Sequence, residues 1–211
     1  MAEWMGNLAG RFIVFDGPDG SGKSTQFTRF ADACRQAGLT VCEVREPGGT
    51  LIGEQIRRVL LDPDNHDMSL RCEMMLYMAS RAQLVEQTIR PALERGELVL
   101  ADRFISSTLA YQGTAGGMTP EEILAVGRVA VGAHWPDLTV VFDVDERIAA
   151  TRLNPLLDRM ERKGEEFHRR VRQGFLAQAG AEPDRYLVVD ATKDADVVTE
   201  AMMKGIAGRF G

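Results

Sequence analysis

Residues 17–24 read Gly-Pro-Asp-Gly-Ser-Gly-Lys-Ser, a glycine-rich stretch that closes on a lysine and a hydroxyl. Few folds can carry such a segment. Gly17 and Gly22 allow backbone torsions that side chains forbid, so successive N–H groups can converge on one anion. Lys23 adds a mobile positive charge, and Ser24 offers a hydroxyl of the kind that binds Mg²⁺. The flanks fit the same picture. Arg11-Phe-Ile-Val-Phe15 is an apolar run of strand type, and Thr25–Phe30 has a helical pattern. Strand, glycine loop and helix in that order form the setting in which such a loop holds nucleotide phosphates.

The bulk numbers narrow the partners. The chain has 211 residues, enough for one domain with a substantial core. It is 45% hydrophobic and 27% charged, ordinary values for a globular protein. A net charge of −6 argues against nucleic acid as the main partner, because such proteins present a basic face. A small anionic ligand needs only a local positive pocket. No uninterrupted apolar stretch approaches the length of a membrane span. The first ten residues hold Glu3 and no Lys or Arg, so they read as a loose arm rather than a signal peptide, with a single domain over 11–211. Cys34, Cys42 and Cys72 are odd in number, widely spaced and free of any CxxC pair, as expected of reduced cytoplasmic thiols. His66, His134 and His168 are scattered and form no metal-ligand spacing.

Five short apolar runs predict strands: Phe12–Phe15, Val41–Val44, Leu98–Ala101, Leu138–Phe142 and Tyr186–Val189. Runs apolar at nearly every position suit strands buried on both faces of a parallel sheet. Helical patterns separate them, at Gly22–Gln36, Gly53–Leu61, Leu70–Arg95, Pro120–Val131, Asp145–Leu153, Glu165–Ala179 and Asp194–Ile206. Pro91 should kink or divide the third of these. Thr119 is a good N-cap, with Pro120 at the first helical position and Glu122 three residues on. Alternating strands and helices imply an α/β layered fold with right-handed crossovers, whose ligands sit at the carboxyl ends of the strands.

Further polar segments fall at those ends. Arg45-Glu-Pro-Gly-Gly-Thr50 follows the second strand; it presents Arg45 and Glu46 at a forced turn, or is an ordinary turn with solvated charges. Asp102-Arg103 follows the third strand, where a carboxylate can hold Mg²⁺ or its water and an arginine can grip a phosphate with two prongs. Ser106–Gly113 is rich in hydroxyls and contains Gln112, whose amide can pair with a base edge, though a polar helix start reads the same way. Tyr77 and Arg81 lie four apart on one helix face. Leu157–Lys163 is a charged segment between helices that can serve as a lid or as a solvated turn.

Taken in order, Phe15–Thr25, Arg45–Thr50, Ser80-Arg81, Asp102–Phe104, Ala110–Gly113, Pro136–Thr139 and Asp158–Glu161 closely resemble the thymidylate kinases of bacterial type, over nearly the whole chain from residue 11. The resemblance implies a P-loop NTPase fold: three layers, α/β/α, around a five-stranded parallel sheet, like the nucleoside monophosphate kinases, with a short lid near 154–164. It implies transfer of a phosphoryl group from MgATP to dTMP, giving dTDP in the dTTP biosynthesis pathway. On that reading Gly17, Pro18, Asp19, Gly20, Ser21, Gly22, Lys23, Ser24 and Thr25 hold the donor, with Lys23 bridging the transferring group. Glu46 and Arg57 belong to the acceptor pocket, Tyr77 stacks on thymine, Arg81, Thr108 and Gln112 read its edge, Arg103 holds the acceptor phosphate and Tyr111 crowds the sugar. Asp16 and Asp102, with Ser24, place Mg²⁺ and its waters; Arg159 is the lid arginine, with Arg152 and Arg162 behind it. The family's habit further implies a cytoplasmic homodimer. Residue 16 is Asp and residue 77 Tyr, where Glu and Phe are commoner, and Gly20 stands where one branch carries a loop arginine. The rival readings are a kinase for another monophosphate and a nucleotide-dependent switch. The missing Asn-Lys-x-Asp box weakens the second.

Overall fold

A computed structural model describes residues 3–152 and 158–211. Five strands form one sheet: β1 (Phe12–Asp16), β2 (Val41–Arg45), β3 (Leu98–Asp102), β4 (Leu138–Asp143) and β5 (Tyr186–Asp190). Their order is β2-β3-β1-β4-β5, and every pairing is parallel. Each predicted strand appears, one residue longer at its carboxyl end. The added residue is charged in all five, Asp16, Arg45, Asp102, Asp143 and Asp190, so the rim of the sheet is a row of ionic groups.

Alternation along the strands splits the core into two layers. Ile13, Phe15, Leu100, Val140 and Phe142 pack on one face against Phe27, Phe30, Val198, Met202 and Ile206. These partners come from α1 (Lys23–Gln36) and α9 (Ala195–Phe210). Phe12, Val14, Val99 and Ala101 face the other way, towards Met74, Met78, Leu84, Ile89 and Ile123. Those partners come from α3 (Leu70–Leu84), the turn before α4 (Arg90–Glu94) and α6 (Pro120–Val131); α5 (Ile105–Thr108) adds Ile105 to this layer, and α2 (Leu51–Leu61) packs on α3. The short α7 (Glu146–Thr151) and the long α8 (Glu165–Ala181) complete the set.

Pro91 does divide the long helical run, with a widened turn of π type at Val85–Ile89 just before it. A proline ring clashes with the carbonyl four residues back, and a wider turn relieves that clash without ending the rod. A second π segment, Leu109–Ala115, continues α5 and carries Tyr111 and Gln112 towards the sheet rim. Thr119 caps α6 in a full capping box with Glu122. The expected loose arm is different in the structure. Residues 3–8 form a 3₁₀ helix that buries Met5 and Leu8, and Asn7 Nδ2 donates to the Phe210 carbonyl at 2.7 Å. Its apolar side chains complete the layer at α9, which is why it folds back.

Candidate active site

The glycine loop leaves β1 at Gly17 and enters α1 at Lys23. Gly17, Gly20 and Gly22 have φ of 135°, 77° and 80°, all in the region that favours glycine. Gly17 also has no room for a side chain, since a Cβ there would lie 2.6 Å from the Phe142 carbonyl oxygen. At the helix start, Lys23 lies back across the rim, its Nζ 3.2 Å from Asp102 Oδ1. That oxygen is buried and accepts no conventional hydrogen bond among the described residues.

Arg103 ties the sheet rim to the loop. Its φ is 70°, rare for a residue with a side chain, and its N–H donates to the Phe15 carbonyl at 2.9 Å. The guanidinium donates to the Gly17 carbonyl at 3.1 Å, to Asp16 at 3.3 Å and to Asp19, and lies over the Tyr111 ring. Burial works to raise the Asp19 pKa, but Arg103, Lys23 and the Tyr111 hydroxyl together hold it below the usual carboxylate range. Asp16 is fully buried and accepts from Ser106 Oγ at 2.6 Å and Ser107 Oγ at 2.7 Å. It therefore braces Arg103 and α5 from beneath, two contacts that its position at a strand end did not disclose.

These groups border a cavity of about 270 Å³. Lys23, Ser24, Asp102 and Arg103 line it together with Tyr77, Thr108, Tyr111 and Gln112. Glu46 and Arg57 join them, with the Arg57 guanidinium donating to the Pro47 carbonyl at 2.9 Å across a cis Glu46–Pro47 bond. Asp158, Met160 and Glu161 close the rim from the charged segment after α7. Residues 154–157 of the expected lid lie outside the described residues.

Three expected site residues, Asp16, Arg81 and Arg159, do not line this cavity; Asp16 is fully buried beneath Arg103, where Ser106 and Ser107 occupy its carboxylate. Arg81 stands behind the wall rather than in it. Its guanidinium grips Glu46 at 2.6–3.2 Å, donates to Thr108 Oγ1 at 3.2 Å and lies over the Phe104 ring. Burial pushes Glu46 up to about 7 even against that guanidinium. Arg159 is held by α3 and the end of α2: Nη1 lies 2.6 Å from Glu73 Oε2, Nε donates to the Leu60 carbonyl at 2.7 Å, and Nη2 is buried with no hydrogen-bond partner among the described residues. A phosphate-facing lid arginine is not what this arrangement presents, because a buried carboxylate already claims Arg159. Arg162 lies in the turn that follows Asp158, its N–H donating to the Asp158 carbonyl at 3.1 Å.

Glu73 was invisible as a site residue, since an acid inside a helix reads as solvated surface. So was a second cavity, of about 160 Å³, on the other side of the glycine loop. Ser21, Gly22, Thr25 and Gln26 line it together with Arg152, Ala191, Lys193 and Ala195. Arg152 Nη1 donates to the Ala191 carbonyl at 3.1 Å, tying α7 to the loop after β5.

A parallel sheet in this order, with a glycine loop and lysine at its switch point and cavities on both sides of that loop, defines a phosphate-loop nucleotide phosphotransferase. The comparisons with known proteins narrow the class. A family model described as thymidylate kinase matches residues 15–202. The thymidylate kinase of Deinococcus radiodurans is 46% identical over 204 residues, covering 95% of this chain and 98% of the relative. That of Symbiobacterium thermophilum is 47% identical, covering 89% of this chain and 88% of the relative. The crystal structure of thymidylate kinase from Ehrlichia chaffeensis superposes with a TM-score of 0.78 at 30% identity, covering 93% of this chain and 98% of that one. The chain belongs to the thymidylate kinase family.

Proposed function

We propose that the larger cavity seats dTMP and the smaller one the donor nucleoside, so that the two phosphate chains meet over the glycine loop. Phosphorylation of dTMP to dTDP at the expense of ATP, a step of dTTP biosynthesis, is the activity of the family. The observation that carries the assignment of halves is the position of the loop. Lys23 and Ser24 open onto one cavity, while Ser21, Gly22 and Thr25 open onto the other.

In the larger cavity Tyr77 supplies a ring for the base, Thr108 and Gln112 supply its polar edge, and Tyr111 stands at the sugar. Arg103 and Arg57 supply positive charge for the acceptor phosphate. Lys23 neutralises charge as the two polyanions approach. An oxygen of the acceptor phosphate attacks the terminal phosphorus of the donor, a bond to the bridging oxygen breaks, and ADP leaves. No protein nucleophile is required; alignment and charge neutralisation carry the rate.

Mg²⁺ fits the oxygens present. Asp102 has a buried carboxylate oxygen whose partner is the Lys23 ammonium at 3.2 Å, with no further hydrogen bond among the described residues, and Ser24 brings a hydroxyl to the same cavity. No group of three or more candidate metal ligands occurs among the described residues. That suits an ion held largely by water and phosphate oxygens, as Mg²⁺ is in such sites. Bound there, it would offset the negative charge of the transferring phosphate. Among the described residues no helix is long and apolar enough to cross a membrane, and a cytoplasmic enzyme is the reading we adopt.

The test is turnover of ATP against a panel of nucleoside monophosphates, with Lys23→Ala as control. dTMP should be the preferred acceptor. The variant should keep its circular dichroism and lose on the order of a thousandfold in turnover, the scale of removing a charge-stabilising group. Equal use of all acceptors, or a fully active variant, would contradict the proposal.

A further inference from the structure

Glu73 is almost completely buried on α3, and its two oxygens have separate tasks. Oε1 accepts from Gln112 Nε2 at 2.7 Å. Oε2 faces Arg159 Nη1 at 2.6 Å and Lys163 Nζ at 3.8 Å. Paired with two cations, the carboxylate is an acceptor at both oxygens. An amide meeting such a group must offer its NH₂. Gln112 therefore has one orientation, and its Oε1, which accepts from no described residue, is the atom left for the cavity that Gln112 lines.

We infer that Glu73 is the positioning residue that sets base selectivity: by holding Gln112 Nε2 it leaves an acceptor oxygen for the base, which fits a pyrimidine carrying a proton on N3. Cytosine offers a bare lone pair at that atom, so two acceptors would face each other and the buried amide would stay unpaired. The same carboxylate anchors Arg159 and Lys163, and with them the segment that brings Asp158 and Glu161 to the cavity rim. Base reading and closure of the rim thus share one anchor. The inference rests on the reading of the larger cavity as the dTMP site.

Glu73→Gln tests it. A glutamine can donate or accept, so the Gln112 amide loses its fixed sense. The readout is the ratio of kcat/KM for dTMP to that for dCMP, measured in the wild type and the variant. The ratio should fall at least about tenfold, through a higher KM for dTMP together with better use of dCMP. A purely structural role would lower both substrates in parallel and leave the ratio in place, which overturns the assignment. Should the single variant not fold, Glu73→Gln with Arg159→Met removes the orphaned cation and provides the same comparison. A wild type with no preference for dTMP over dCMP would remove the cavity reading itself. A selective wild type with an unchanged variant ratio sinks only the role of Glu73.

Discussion

Glu46 and Arg81 show how one buried pair can brace a site from within its wall. Both side chains are almost wholly withdrawn from solvent. The pair holds Thr108 in the cavity wall. Burial lifts Glu46 to about 7, above the 4.5 of an unperturbed glutamate. Between those two values the folded state keeps a proton that the unfolded chain has lost. Stability from this group is therefore complete below about 4.5 and declines as the pH rises through about 7. Urea unfolding at pH 5 and pH 8 should show that decline in the wild type, and Glu46→Gln should flatten it. An unchanged difference between the two pH values would show that Glu46 titrates normally.

Among the elements, the Leu109–Ala115 π segment matters most, because it carries Tyr111 and Gln112. It lies against α8 at Gly174. A Cβ at residue 174 would come within 2.9 Å of Thr114 Cβ and 3.0 Å of Ala110 Cα, so even alanine must push the two elements apart. Gly174→Ala should cost about 1–3 kcal/mol in denaturant unfolding, the usual scale of overpacking. It should also raise KM for dTMP while leaving the ATP side unaffected, since the shifted backbone belongs to the acceptor cavity. A stability loss with an unaltered KM would mean that the π segment does not transmit the displacement. Little of this was legible in the sequence. Ser106–Gly113 read equally as a base reader or a polar helix start, because a widened turn has no residue signature of its own. The capping box at Thr119 was legible, because it depends only on neighbours in the chain.

At the scale of the molecule, α2, α3 and α6 lie side by side on one flank. Leu51 and Val129 are 85% and 86% exposed there, with Ile52, Val59 and Met75 also open to solvent. Apolar side chains so exposed on neighbouring helices suit a self-complementary interface, and we propose that two copies of the chain pair through this flank. Sedimentation equilibrium should give twice the mass of one chain. Leu51→Arg with Val129→Arg should halve it, and a wild-type monomer at all concentrations would refute the dimer.

The division between chain and fold follows from the range of the forces involved. Torsional freedom at Gly17 and Gly22, strand patterns apolar at nearly every position, and caps such as Thr119 act over a few residues. From them the sequence by itself determined the glycine loop and the five parallel strands, and pointed to their carboxyl ends for the candidate site. Which charges would be buried together depended on residues far apart in the chain. Glu73 with Gln112 and Arg159, Asp16 with Ser106 and Ser107, and Arg152 with Ala191 meet only once the layers have packed. An ionic group looks the same in sequence whether water or a buried partner will solvate it, and only the tertiary structure decides which.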